Sequence, residues 1–386
     1  MQFYLKSFST VDDDQLRSDW ARLEANGSAT VFQTLTYVAL VEQAFLQTSH
    51  HKSLYLMLYQ RETEEPVCLL TLVNRKHLGA SIVETLNYDV VDYCGAMLVP
   101  SAFPTDQHFE EAAALISEVL SNHDVLLTKN SVAGSPCAKL LWSPRLMGVD
   151  PVGDVATIPL SNGGFEAFAK SCRAYKALKR KRRRLAEDFG FTVRRVSDRD
   201  EIDRTFDTMV VQRAKRFANL GIIDGLADPR RQSLFRNLAK KLCPRGDALL
   251  LTGAIEGNVI ATSFACAFQG TLTAQLCSMA QGPWSKHSLG LVMMAHEIEW
   301  AHANGLSCYD LGAGEADYKA RFAVETRQRM SAWQPLSAKG HLYLAARNAK
   351  HLLRRHAKSH LSDHVRSAIT SVQSTRSNRI ASISAR

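Results

Sequence analysis

The chain has 386 residues, 46% of them hydrophobic, which suffices for two or three cores and excludes a small module held by staples. No apolar run reaches eighteen residues, so no membrane span is expected. Eight cysteines (Cys68, Cys94, Cys137, Cys172, Cys243, Cys266, Cys277 and Cys308), scattered without a CxxC pair, argue for reduced thiols in a cytoplasmic setting and against disulfides and zinc. Most of the net charge of +9 sits in His341–Arg386, which carries nine Lys/Arg against one acidic residue, Asp363.

Taken in chain order, Met1-Gln-Phe-Tyr-Leu-Lys opens a strand-like segment with no long apolar stretch and no small-residue cleavage site, so no signal peptide is expected. Leu16–Asn26 and Val31–Phe45 read as helices. Leu54–Tyr59 and Val67–Asn74, joined through Arg61–Pro66, read as a hairpin, and Ile82–Leu86 and Val90–Leu98 as further strands. A helix over Phe109–Leu120 and a strand over Val125–Thr128 complete the first half. Within it, Asn87-Tyr-Asp-Val-Val-Asp92-Tyr93-Cys-Gly95 joins acids, aromatic rings and a glycine, a composition for either a strand-edge turn or the wall of a substrate cleft. Pro144–Asp154, with Pro151 and Gly153, reads as a linker.

Eight of the twelve residues Arg173–Arg184 are basic. On a helix, Phe165, Phe168, Cys172, Tyr175, Leu178, Leu185 and Phe189 form one apolar stripe, interrupted by Arg182, beneath a cationic outer face. That face is either simply solvated or a surface for phosphate, as in CoA, tRNA or a phosphosugar lipid, and together with the basic tail over 341–386 it offers a surface for an anionic membrane or RNA. A helix beginning near Ile202 closes with Gln212-Arg213-Ala-Lys-Arg216-Phe217. Leu249–Ile255, Val259–Phe268 and Thr271–Met279 then form an antiparallel meander through the turns Glu256-Gly257-Asn258 and Gln269-Gly270. Leu291–Asn304 follows as a helix with Leu291, Met294, Ala295, Ile298 and Ala301 on one face, and Leu306–Leu311 as a buried strand. His287 and His296 have no paired-His spacing, so no metal is expected. At the end, Leu342–His360 reads as a basic amphipathic helix with Leu342, Ala345, Leu352 and Leu353 as its apolar positions, and Ser367–Arg386 as disordered.

The meander, the loop feeding a helix start, the helix and the last strand resemble the core of the GNAT (N-acetyltransferase) superfamily. Asp310-Leu-Gly-Ala-Gly followed by Tyr318-Lys319-x-x-Phe322 resembles the acetyltransferase-like (CelD-like) proteins of bacterial cellulose and exopolysaccharide synthesis, relatives of the Fem-type aminoacyltransferases. The resemblance implies an α/β fold of tandem GNAT-like domains with mixed, mostly antiparallel sheets. The expected division is a first domain over 1–150, a second over 151–340, and a basic tail over 341–386.

It also implies acyl transfer from acetyl-CoA or another acyl-CoA, without metal, to an amine or hydroxyl of a sugar-like acceptor, in a cytoplasmic protein that can sit peripherally at the inner membrane. Ser285, Lys286, His287, Ser288, Leu289 and Gly290 would cradle the CoA pyrophosphate, because amides at a helix start are unpaired and sit at the positive end of its dipole. The family's loop usually carries two small residues where this chain has Gly290 alone. Tyr318 is the candidate acid, since a phenol with an ordinary pKa of about 10 stays protonated at neutral pH. Asp310 is the candidate base or orienting group, and Lys319 a partner for phosphate or carboxylate; Glu315 and Asp317 are further candidates. Asp92, Tyr93, Arg213 and Arg216 are candidate substrate contacts. Two alternatives stay open: Fem-type transfer from aminoacyl-tRNA bound by Arg173–Arg184, and a catalytically idle scaffold that binds a membrane synthase through the tail.

Overall fold

The computed structural model describes residues 2–46, 50–142, 148–314 and 317–350. Thirteen strands share one sheet: β1 (Phe3–Phe8), β2 (Lys52–Gln60), β3 (Pro66–His77), β4 (Ala80–Thr85), β5 (Ala96–Leu98), β6 (Val125–Val132), β7 (Gly148–Pro159), β8 (Thr192–Val196), β9 (Ala248–Ile255), β10 (Asn258–Phe268), β11 (Thr271–Met279), β12 (Cys308–Asp310) and β13 (Glu325–Pro335). Their order is β1-β2-β3-β4-β6-β13-β7-β12-β11-β10-β9-β8, with β5 added beside β3. All neighbours are antiparallel except β4 with β6 and β11 with β12. The fold is therefore α/β with a large mixed, mostly antiparallel sheet.

The helices are α1 (Asp14–Asn26), α2 (Leu35–Val41), α3 (Asp106–Leu120), α4 (Pro136–Leu141), α5 (Gly164–Ser171), α6 (Arg173–Phe189), α7 (Arg199–Leu220), α8 (Pro229–Leu242), α9 (Leu289–Ala303) and the single turn α10 (Lys319–Phe322). Side chains alternate across a strand, and the cores follow that alternation. Leu250, Phe264 and Cys266 join Tyr55 and Met57 in one core with α1, α2, α7 and α8, so that face is shared by both halves of the chain. On the opposite face, Leu56, Leu58 and Leu70 pack under α3 and α4, while Leu249, Leu251 and Ala265 pack under α5, α6 and α9. Each half repeats one plan, β1–β4 with α3 and β6, then β8–β11 with α9 and β12: a meander, a helix, and a strand parallel to the last of the meander. Among the described residues no helix is long and apolar enough to cross a membrane.

Several sequence expectations are corrected by the packing. From Gly148 onward the expected linker is strand β7, which pairs with both β12 and β13; the position expected as a boundary, 150, lies inside it. Strand β13, a charged segment without an apolar signature, runs beside β6 of the first half as well as β7. Val90–Leu98 is extended only at β5, because Tyr88 and Asp89 take positive φ and turn the chain. The stripe from Phe165 to Phe189 belongs to two helices: Cys172 breaks the first at ψ 102° and its sulfur accepts from the Tyr175 N–H at the start of α6. Arg182, the interruption, ion-pairs with Glu299 of α9 at 2.5 Å. The expected tail begins as a packed helix, with 338–350 helical and Leu344 buried against Ile82, Val125 and Leu127, while Leu342 and Ala345 are exposed. The register is set by Arg347, whose guanidinium stacks 3.7 Å over the Trp333 ring, and by Tyr343, paired with His77 at 2.8 Å. Residues 351–386, including Leu352 and Leu353, lie outside the described residues.

Candidate active site

Strands β11 and β12 pair only over Thr271–Thr273 and Cys308–Asp310, and then part. A cavity of about 750 Å³ fills the gap, lined by 274–277 and 279–281 of β11 and its continuation and by Leu311–Gly314. The start of α9, the end of α7 and Tyr318 complete it, so an interrupted ladder, a helix N-terminus and the glycine loop of the Asp310 motif converge.

The glycine loop is held from behind by charges. Asp310 accepts from the Tyr93 hydroxyl at 2.7 Å and from the Gly312 N–H at 2.8 Å, and burial lifts its pKa to about 6. Asp92 accepts from the Ala313 N–H at 2.8 Å and is likewise raised by burial. Lys319 Nζ donates to the Gly312 and Ala313 carbonyls, 2.8 Å each, and burial lowers its pKa against the pull of both aspartates. Arg329 of β13 donates to the Asp92 carbonyl at 3.0 Å and to the Val152 carbonyl at 3.1 Å. Gly312 is required here: its φ is +71°, and an added Cβ would meet the Ala274 carbonyl oxygen at 2.7 Å. Gly312→Ala is expected to destabilise the protein by about 1–3 kcal/mol, and a denaturant midpoint equal to wild type would contradict this.

The predicted residues divide into those that reach the cavity and those that do not. Ser285, Ser288, Leu289, Gly290, Asp92, Arg213, Arg216, Tyr318 and Lys319 line it. Asp310 and Tyr93 sit behind the glycine loop, out of the lining, where they fix its shape. Lys286 is exposed outside the cavity, and His287 is buried with its ring edge-on to Phe189 at 5.8 Å. Arg213 is committed to Asp224, with contacts of 2.6–3.2 Å, whereas Arg216 has no carboxylate partner among the described residues. Tyr318 is half-buried and its pKa raised by burial, which keeps the phenol protonated. Asp317 is exposed and does not line the cavity, and Glu315 lies outside the described residues.

Helix α9 opens with Ser288 in the left-handed region and no side-chain cap. The Ser288 carbonyl accepts from Leu291 and Val292, which leaves the Leu289 and Gly290 N–H groups without an acceptor among the described residues. Lys181 of the basic helix reaches the Ser288 hydroxyl at 2.8 Å, placing an ammonium beside those amides. The exposed cations of α6 are not among the residues that line the cavity. Among the described residues no group of three or more His, Cys, Asp or Glu side chains is arranged to hold a metal ion. His296 is partly buried, and burial lowers its pKa to about 4.

Sequence reasoning missed Glu297. It is 3% exposed, lines the cavity, and accepts from the Tyr309 hydroxyl at 2.5 Å, while burial lifts its pKa to about 7. The available signal was its position three residues after Met294 and four before Ala301, a carboxylate inside the apolar stripe of a helix. Gln275, Ser263 and Arg329 were missed as well, and nothing local in the sequence marks them.

Most of the residues that line the cleft fall in a part of the chain that matches an acyltransferase family. Residues 171–320 match the family described as an acetyltransferase (GNAT) domain, a class that uses acyl-CoA as co-substrate. No curated protein sequence matches the chain. Solved structures share the fold at low identity. FemX is 12% identical with a TM-score of 0.58, over 85% of this chain and 96% of its own. The C-terminal domain of a putative lysylphosphatidylglycerol synthetase from Agrobacterium fabrum is 13% identical with a TM-score of 0.50, over 87% and 96%. L-PGS from Bacillus licheniformis is 10% identical with a TM-score of 0.51, over 82% and 91%.

Proposed function

We propose that the chain transfers an acetyl or other acyl group from acyl-CoA to a small acceptor, and that this acceptor is sugar-like and belongs to polysaccharide or envelope synthesis. The observation that carries the donor reading is the start of α9: two backbone N–H groups without an acceptor among the described residues, beside the Lys181 ammonium, next to a cavity that Tyr318 also lines. Such a helix start accepts a pyrophosphate by its oriented amides and dipole. Ser285, Ser288, Leu289 and Gly290 would supply that contact; Lys286 and His287 drop out of it. Arg216 is available to a second phosphate or to an anionic group of the acceptor.

In this reading Tyr318 donates a proton to the departing thiolate. Asp310 and Lys319 act at one remove, keeping Gly312–Gly314 open against the acceptor. The acceptor assignment rests on the motif resemblance to the exopolysaccharide family and on the Asp92 wall. A second reading, aminoacyl transfer from tRNA, is favoured by the likeness in fold to FemX together with the exposed cations of α6, Arg173, Lys176, Lys179, Arg180, Arg183 and Arg184. It predicts RNA binding that falls steeply with salt, because phosphate contacts release counterions.

Thermal unfolding with acetyl-CoA, CoA and aminoacyl-tRNA separates the two. A ligand at about a hundred times its dissociation constant adds roughly 2.7 kcal/mol. Stabilisation by acetyl-CoA supports the first reading; stabilisation by aminoacyl-tRNA alone replaces it with the second. Tyr318→Phe is then expected to lower kcat by about a hundredfold with acetyl-CoA affinity preserved, and undiminished turnover would remove the acid role.

A further inference from the structure

A second cavity, of about 420 Å³, lies in the first half of the chain and shares no lining residue with the cleft at α9. Its walls are Phe109, Ile116 and Leu120 of α3, Leu126 of β6, and Leu140 and Leu141 of α4. Glu110, Ala114 and Ser117 belong to the same lining and are exposed, so the cavity reaches the surface. Two polar side chains interrupt the apolar walls, Gln334 of β13 and Trp142, the residue that ends α4. Gln334 stands opposite Leu126 in the antiparallel ladder of β13 and β6, and opposed residues point to the same face of a sheet. Leu126 packs in the core under α3 and α4, so the Gln334 side chain is aimed there as well. It is 6% exposed, and its Oε1 has no hydrogen-bond donor among the described residues. The Trp142 Nε1–H is buried without an acceptor among them. Buried polar atoms are rarely left unpaired, and each exception calls for an explanation.

We infer that this cavity is a second ligand site, that it takes a small neutral molecule with an apolar body and a hydroxyl head, and that Trp142 and Gln334 hold the head. The inference goes beyond acyl transfer and does not depend on it. The two unmet atoms are one donor and one acceptor. A hydroxyl accepts from an N–H and donates to a carbonyl oxygen, so one head group meets both. A carboxylate has acceptors only and would set a lone pair against Gln334 Oε1. An ammonium has donors only and would leave the indole N–H unmet. The charges in the lining point the same way. Lys139, its one cation among the described residues, is paired with Asp106 at 2.7 Å and lies 4.8 Å from the centroid of the Phe109 ring. No free cation therefore awaits an anionic head, and Glu110 could meet a cationic one only at the exposed rim. Water can satisfy either atom, but the cavity is far larger than one water needs, and an apolar body gains by displacing water from walls of Leu, Ile and Phe. Its size falls in the range of small-molecule pockets, which combine apolar walls with a few placed polar groups.

The test uses the full chain with 1-octanol as the probe, and octanoate and octylammonium as probes that keep the apolar body and change the head. Nitrogen-15 NMR of the indole N–H groups reads contact at Trp142, whose resonance is the one missing from W142F, and calorimetry reads affinity. The expected result is a saturable shift of that resonance with 1-octanol, and binding of the alcohol about tenfold tighter than of either charged probe. Q334L, which replaces the acceptor by an apolar group of similar size, is expected to weaken 1-octanol about tenfold, and A113F, which fills the cavity from α3, to abolish its binding. An unmoved Trp142 resonance overturns the inference. So does wild-type affinity for 1-octanol in Q334L, or a charged probe bound as tightly as the alcohol. Should Q334L fail to fold, the comparison of head groups on the wild-type chain decides alone.

Discussion

Glu297→Gln protein is expected to be more stable than wild type above pH 7, by up to about 3 kcal/mol, while the two converge toward pH 4.5. The sign follows from the direction of the shift. Burial raises the folded-state pKa of Glu297 from its ordinary 4.5 to about 7, so the folded protein binds the proton more tightly than the unfolded chain does. The stability this confers is fully present below the unfolded pKa and is lost as pH rises through 7. A glutamine resembles the protonated acid, retains an oxygen for the Tyr309 hydroxyl, and has no proton to lose. The gain should therefore appear only where wild-type Glu297 is ionised. Urea unfolding at pH 5 and pH 8 checks this, and equal differences at the two pH values would refute a raised pKa. Carboxyls raised in this way by burial cluster at functional sites, although structural pairs produce them too.

Lys319→Met is expected to destabilise the protein by about 3 kcal/mol at pH 8, and by distinctly less at pH 5.5. Two effects oppose each other. Burial penalises the ammonium, and methionine removes that penalty while filling similar volume. Against it, the Gly312 and Ala313 carbonyls lose their donor, and Asp92 and Asp310 lose the cation that favours their charged forms. Removing one partner from a buried charged cluster is the costlier of the two. The pH dependence follows because both aspartates already titrate above the ordinary range, Asp310 near 6, and the variant raises them further. Below those values the carboxyls are neutral and the missing cation matters little; as pH rises through them, the deficit grows. A deficit independent of pH would show that the lysine acts through its carbonyl contacts alone.

These two residues also mark how far sequence reasoning reaches. Lys319 stands out in Tyr-Lys-x-x-Phe, but its partners are loop carbonyls rather than a phosphate, which no spacing could reveal. Asp310 was legible as a strand-end acid beside glycines. Its neighbour Tyr93 lies 217 positions away and turns it toward the loop, away from the cavity. Glu297 was visible only as an anomaly in an apolar helix face, because periodicity reports which side is buried and says nothing of what the buried group does there.

The sequence by itself determined the meander β9–β11, helix α9, the turn residues between them and the burial of α6 by one edge. Those features depend on contacts within a few residues, where side-chain period and φ preferences decide. Only the tertiary structure decided the exchange by which β7 and β13 lie side by side between the two halves. A strand's partner is set by whichever edge is free after the whole sheet forms, not by its own composition. That exchange brings Arg329 to the backbone of Asp92, and Asp92 to the loop after Asp310. Desolvation inside the assembled cleft then sets the charge of Glu297, a property that exists only once water has been excluded around it.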